Sequence, residues 1–171
     1  IMTAAISTEG HSEPLRRHDK YDRLVAVAQS IPKLKVAVAH PCDASSPGAV
    51  FEAVGLGLIE PILVGPPEKI RALAQASGRD WSGMRIVDAP HSHAAAEKAV
   101  DLVRAGEAEA LMKGSLHTDE LMGAVVRREG GLRTARRISH CFVMDVPGHA
   151  DALIITDAAV NIAPTLEDKV H

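Results

Sequence analysis

Lys35-Val-Ala-Val-Ala39, His40-Pro-Cys-Asp-Ala-Ser-Ser-Pro47 and the Ala-rich stretch from Gly48 to about Leu58 form the unit that decides the fold: an aliphatic run, a polar loop, an amphipathic segment. The unit recurs downstream. Pro61-Ile-Leu-Val64 leads through Gly65-Pro-Pro67 to a helical pattern over Glu68 to Ala76, and Arg85-Ile-Val-Asp88 leads through Ala89-Pro-His91 to one over Ser92 to Ala105. Ala110-Leu-Met-Lys113 leads through Gly114-Ser-Leu116 to a helix reaching Val126, and Ser139-His-Cys-Phe-Val-Met144 is a fifth run. Short aliphatic strands alternating with longer helices imply βαβ crossovers, because parallel neighbours need a long connection that returns the chain. The expected class is α/β: three layers, a mostly parallel sheet with helices on both faces. The ten prolines fall in loops, at helix starts or at strand entrances, where a missing N–H costs least.

Upstream of the first unit, Tyr21, Leu24, Val25 and Ala28 repeat at helical spacing between Lys20 and Ser30, and Pro32 follows. Residues 1–19 mix Thr, Ser, Glu, Gly, His and Pro without a period and read as a flexible leader. Downstream, Asp145-Val-Pro-Gly-His149 is a turn-forming break. A sixth run, Ala152-Leu-Ile-Ile-Thr156, and a helix start at Thr165-Leu-Glu-Asp-Lys169 follow it before the sequence stops at His171. So short a final helix cannot bury a face worth its ordering entropy, so either this end is disordered or the sequence is a fragment of something longer. The expected organisation is a leader (1–19), a first α/β domain (20–146) and the start of a second, truncated α/β domain (147–171).

Of the 171 residues, 24% are charged and 46% hydrophobic, a globular balance, and the formal charge of −3 gives no overall signature for nucleic acid or a membrane surface. Tyr21, Phe51, Trp81 and Phe142 are the only aromatics, too few for a base-stacking platform or an aromatic cage. Cys42 and Cys141 stand far apart without a C-x-x-C spacing, which fits a reduced, cytoplasmic compartment. There is no apolar stretch long enough for a membrane span and no apolar signal core in the first thirty residues.

Ligands of parallel α/β sheets sit beyond the carboxyl ends of the strands, so those loops carry the candidate chemistry. His40 to Pro47 is long and polar enough to wrap a ligand, or is a surface loop ending in an N-cap Ser46. In Lys113-Gly-Ser-Leu-His-Thr118, Lys113 ends a strand, Gly114 permits close backbone approach, and Ser115, His117 and Thr118 stand at a helix start with unpaired amides. The loop could hold an oxyanion or phosphate, or be a glycine turn capped by Thr118, with Asp119 and Glu120 already answering the helix dipole. Arg127, Arg128, Arg133, Arg136 and Arg137 crowd five cations around Gly130-Gly131, opposed only by Glu129. Guanidinium pairs clamp phosphates bidentately, and Arg136-Arg137 directly precedes a strand; the bland alternative is a solvated helix end. His91-Ser-His93 lacks a third nearby ligand for a metal, and G-x-G-x-x-G, Walker A, G-x-S-x-G and H-E-x-x-H are all absent.

Three segments, Ala53-Val-Gly-Leu-Gly-Leu-Ile-Glu-Pro-Ile-Leu-Val-Gly65, Glu109-Ala-Leu-Met-Lys-Gly-Ser-Leu-His-Thr118 and Gly131-Leu-Arg-Thr-Ala-Arg-Arg-Ile-Ser-His140, closely resemble the phosphate acetyltransferase and phosphate butyryltransferase family. Lys113 before Gly114 and the Leu-Arg-Thr to Ser-His pattern look more like the butyryltransferase branch. Some family members are fused to an enoyl-CoA hydratase, and the leader would suit such a junction. The resemblance implies two α/β domains flanking a cleft, similar to isocitrate and isopropylmalate dehydrogenases. It also implies transfer of an acetyl or short acyl group between coenzyme A and inorganic phosphate. Carried over, Lys113, Gly114, Ser115, His117 and Thr118 match the cleft loop, and Arg133, Thr134, Arg136, Arg137, Ser139 and His140 match the motif entering the next strand. The catalytic groups would lie mainly in the second domain. Coenzyme A would be a substrate, with no tightly bound cofactor and no metal, and the family forms homodimers or larger assemblies. Two rival readings are a metal- and NAD-dependent hydroxy-acid dehydrogenase of the same architecture and a non-catalytic ligand-binding domain.

Overall fold

The structure, a computed structural model, describes residues 19–157, 159–161 and 163–170. The expected leader therefore lies outside the described residues, except that Asp19 is the first residue of a helix. The elements in order are α1 (Asp19–Gln29), β1 (Leu34–Ala39), α2 (Ser46–Gly55), β2 (Ile59–Gly65), α3 (Pro67–Ser77), β3 (Arg85–Asp88), α4 (Ser92–Arg104), β4 (Ala110–Lys113), α5 (Thr118–Val126), β5 (Cys141–Met144), β6 (Leu153–Thr156) and α6 (Leu166–Val170).

Four strands form a parallel sheet in the order β3-β2-β1-β4. Alternation along β1 sends side chains to both faces. Val36 and Val38 pack with Val50 of α2, Ile70 of α3 and Trp81, whereas Ala37 and Ala39 pack with Ala95, Ala99 and Val100 of α4 and Leu121 and Ala124 of α5. Helices thus cover both faces in three layers, as expected. The small alanines on the α4 side let that helix lie close to the sheet, and each fully buried Val, Leu or Ile contributes about 1.5–3 kcal/mol. Phe51 and Trp81 meet edge to face, ring centroids 5.0 Å apart, with the Arg79 guanidinium 4.8 Å above Phe51.

The fifth aliphatic run departs from the repeating pattern. β5 does not extend the parallel sheet but pairs antiparallel with β6, Cys141 opposite Thr156 and Met144 opposite Leu153. The chain after α5 runs through irregular backbone to residue 140 instead of returning as a crossover helix. The short connection through Pro147-Gly148 makes pairing with β6 the entropically cheaper choice. α1 lies against this ribbon: Lys20 Nζ is 2.8 Å from Asp145 Oδ1, and the Tyr21 backbone N–H donates to Asp145 Oδ2 at 3.0 Å. No helix among the described residues is long and apolar enough to cross a membrane.

Candidate functional site

The carboxyl ends of β1 and β4 are knitted together. The Gly114 N–H donates to Ala39 O at 2.9 Å and the Ser115 N–H to His40 O at 2.8 Å, prolonging the strand ladder into both loops. His40 takes a left-handed backbone, φ 53°, which a non-glycine residue adopts only under local constraint. The Ser115 hydroxyl supplies that constraint. It donates to His40 O at 2.8 Å, lies 3.2 Å from His40 Nδ1 and accepts the Cys42 N–H at 3.0 Å. Burial pushes the Cys42 thiol up, only partly offset by Lys69.

The Lys113 ammonium bends back over its own loop, donating to Leu116 O at 2.9 Å and Gly114 O at 3.4 Å. Lys113, Gly114 and Ser115 therefore build the loop, and His117 and Thr118 are exposed at its far end. The helix N-cap is His117, one residue before the sequence expectation, and Thr118 is the first helical residue. Glu120 reaches back to accept the His117 N–H at 2.8 Å while its other oxygen accepts from Ser92 Oγ at 2.7 Å and lies 3.1 Å from His93 Nε2. His91 caps α4, its Nδ1 accepting the Ala94 N–H at 3.2 Å. Of the His91-Ser-His93 pair, His91 is thus engaged in capping α4 and His93 in joining α4 to α5. Among the described residues no three His, Cys, Asp or Glu side chains cluster as metal ligands.

These bonds give Glu120 a pH signature. The Ser92 hydroxyl first, then the His117 amide, hold its carboxyl below the usual range by favouring the charged form. A depressed folded pKa contributes stability above the unfolded value and loses it as pH falls through the folded one. The melting temperature of Glu120→Gln should therefore fall below that of the parent at pH 7, with the gap closing as both are melted below about pH 4.

The arginine segment is sorted by its partners. Arg127 pairs with Glu97 at 2.7 Å and leaves the anion-binding set. Gly131 is packed so tightly that a Cβ would meet Arg127 O at 2.2 Å and Val125 O at 2.7 Å, and the Leu132 N–H closes back on Val125 O at 2.7 Å. This wrap throws Arg133 to Arg137 alongside α5, where Arg133, Arg136, Met122, Val126, Val160 and Asn161 line a cavity of about 690 Å³. The guanidiniums of Arg133 and Arg136 are exposed and have no hydrogen-bond or ion-pair partner among the described residues. Thr134 Oγ1 accepts the Arg136 N–H at 3.1 Å and shapes the turn between them.

Ser139 is committed elsewhere: its hydroxyl donates to Asp157 Oδ1 at 2.7 Å. Thr156 Oγ1 donates to His140 O at 2.8 Å and Asn161 Nδ2 to Ile138 O at 3.0 Å, so Thr156, Asp157 and Asn161 are fastened along the arginine loop. His140 lies edge-on to Phe142, centroids 4.7 Å apart, with a buried Nδ1 that has no hydrogen-bond partner among the described residues. Sequence reasoning reached His40 only as part of the His40 to Pro47 loop and did not place Asp157 in the site; their partners Ser115 and Ser139 lie 75 and 18 positions away, and neither pairing has a local signal. The two candidate loops occupy opposite ends of α5, a helix of nine residues and thus about 13 Å long.

Strand-end loops over a parallel sheet, with an arginine-lined cavity along α5, define a three-layer α/β protein. The fold is shared with a phosphotransacetylase from Streptococcus pyogenes, at a TM-score of 0.70 and 17% identity over 86% of this chain and 54% of that one. Residues 92–171 match the family model described as phosphate acetyl/butaryl transferase. The phosphate acetyltransferase of Rhizobium meliloti is 60% identical over 150 residues, 88% of this chain and 48% of that protein. The phosphate butyryltransferase of Clostridium beijerinckii is 37% identical over 150 residues, 88% of this chain and 50% of that protein. The chain belongs to the phosphate acetyl/butyryltransferase family, and it spans about half the length of the curated relatives it matches. Identity runs higher to the relative named for acetyl transfer, the reverse of the branch that the Lys113 and Arg133 motifs suggested.

Proposed function

We propose that this chain forms one wall of the active-site cleft of a phosphate acyltransferase, which moves an acetyl or short acyl group between coenzyme A and inorganic phosphate. The observation that carries the proposal is the pair of unpartnered guanidiniums, Arg133 and Arg136, at the mouth of the cavity beside α5. A phosphate dianion needs planar, permanently charged donors, and two arginines held by one Thr134 turn supply them. Phosphate oxygen attacks the thioester carbonyl, the C–S bond breaks, and the proton of hydrogen phosphate ends on the departing thiolate. Arg133 and Arg136 hold and orient phosphate in this step, converting an encounter into a positioned attack. Ser139 and Asp157 fix the backbone that carries them. His117 and Thr118, about 13 Å away along α5, suit the far end of a long thioester substrate rather than the phosphate.

In this reading residues 20–146 are the first domain and 147–171 open the second, which supplies the facing wall and the main catalytic groups. Coenzyme A is a substrate and no cofactor stays bound. The enzyme works in the cytoplasm as a homodimer or larger assembly. The sequence relatives support acyl transfer over the hydroxy-acid dehydrogenase reading. The experiment is free-thiol release from acetyl-, propionyl- and butyryl-CoA by the full-length protein, with and without phosphate, alongside nicotinamide absorbance with hydroxy acids. Phosphate-dependent thiol release is expected. Nicotinamide reduction without thiol release would overturn the proposal.

A further inference from the structure

A second large cavity, of about 620 Å³, lies where the end of α3 meets the start of β3. In a parallel sheet this is the end remote from the Lys113 loop, since α3 runs from the carboxyl end of β2 back to the amino end of β3. Its volume falls in the range of small-molecule pockets. The floor is apolar: Ile70 is fully buried, Trp81 is 7% exposed, and Met84 and Ile86 are half-buried. The rim is cationic. Arg71, Gln75, Arg79 and Ser82 line it with no acidic residue, in a chain whose formal charge is −3.

The two rim arginines differ in what holds them. Arg79 is stacked over Phe51, which in turn braces Trp81, so its guanidinium is pre-positioned. Arg71 has no hydrogen-bond or ion-pair partner among the described residues. An apolar floor beneath a two-arginine rim matches one ligand chemistry: a small amphiphilic anion, with a phosphate or carboxylate head on a short aliphatic body. The head would be held by charge-assisted hydrogen bonds and the body would displace water from the floor.

We propose that this cavity is a binding site for such an anion, separate from the acyl-transfer cleft. Trp81 is the only tryptophan of the chain and lies in the cavity wall, so the protein carries its own reporter. The experiment titrates octyl phosphate below its micellar concentration, then octanoate, then octanol, reading Trp81 emission and, independently, calorimetric heat. Saturable binding of both anions is expected, with half-saturation raised at least tenfold in Arg71→Gln/Arg79→Gln. Both substituted side chains are exposed, and circular dichroism verifies the fold of the variant. The response should persist in Arg133→Ala/Arg136→Ala, so its success or failure is separate from that of the acyltransferase reading. The proposal is overturned by no saturable signal in either readout, by octanol binding as well as the anions, by an unchanged response in Arg71→Gln/Arg79→Gln, or by loss of the response when only the α5-side arginines are removed.

Discussion

Gly114→Ala is expected to destabilise the protein by about 3 kcal/mol and to lower its melting temperature by about 10 °C. The reason is steric and local. A Cβ on Gly114 would stand 2.5 Å from Ala39 O, 2.6 Å from His40 O and 2.8 Å from the His40 carbonyl carbon, all backbone atoms that cannot rotate away. Those atoms belong to the junction that carries the ladder from β1 into the candidate loop, where the Gly114 N–H donates to Ala39 O at 2.9 Å. Relief requires pulling β4 from β1 or releasing His40 from its left-handed backbone, and either breaks the bonds that Ser115 makes. Gly123→Ala is the control, because a Cβ there meets nothing within 4 Å and the residue sits inside α5, where alanine is the better helix former. Thermal melts should show Gly123→Ala at or above the parent. A Gly114→Ala protein within 1 °C of the parent would refute this account of the loop.

The second large effect is on catalysis. Arg133→Ala/Arg136→Ala should raise the KM for phosphate or lower kcat/KM by about a hundredfold or more, since a charge-assisted hydrogen bond to an anion is worth about 1.5–3 kcal/mol. The melting temperature should move by no more than about 2 °C, because both side chains are exposed and neither guanidinium has a partner to lose among the described residues. Arg127→Ala gives the contrasting pattern: it breaks the pair with Glu97 at 2.7 Å on the surface and should leave the phosphate dependence intact. Steady-state kinetics with phosphate varied at saturating acyl-CoA separates the two.

How far the sequence could be read follows from which contacts are local. The four parallel strands and α1 to α5 were legible because each carries its own period and ends on its own Gly, Pro or capping residue. The pairing of β5 was not. Ser139 to Met144 has the composition of a sheet strand, and only the antiparallel register with Leu153 to Thr156 shows that it stands apart. The candidate anion-binding arginines were legible as a group, but the sequence could not divide them. Arg127 is removed by Glu97, thirty residues away, and Ser139 by Asp157, eighteen away. Likewise Lys113 read only as the residue that ends a strand, and it is the carbonyl of Leu116, brought round by the turn at Gly114, that occupies its ammonium. The knot of His40, Cys42 and Ser115 joins residues more than seventy positions apart, so no spacing could announce it.

The account rests on phosphate, not water, being the acyl acceptor held by the arginine loop. Phosphorus NMR of the full-length protein with acetyl-CoA and inorganic phosphate tests this directly, with free thiol titrated in the same samples. The account predicts an acyl phosphate resonance that grows in step with thiol and is lost together with it in Arg133→Ala/Arg136→Ala. Thiol released with no acyl phosphate formed, or neither product above the enzyme-free rate, would contradict it.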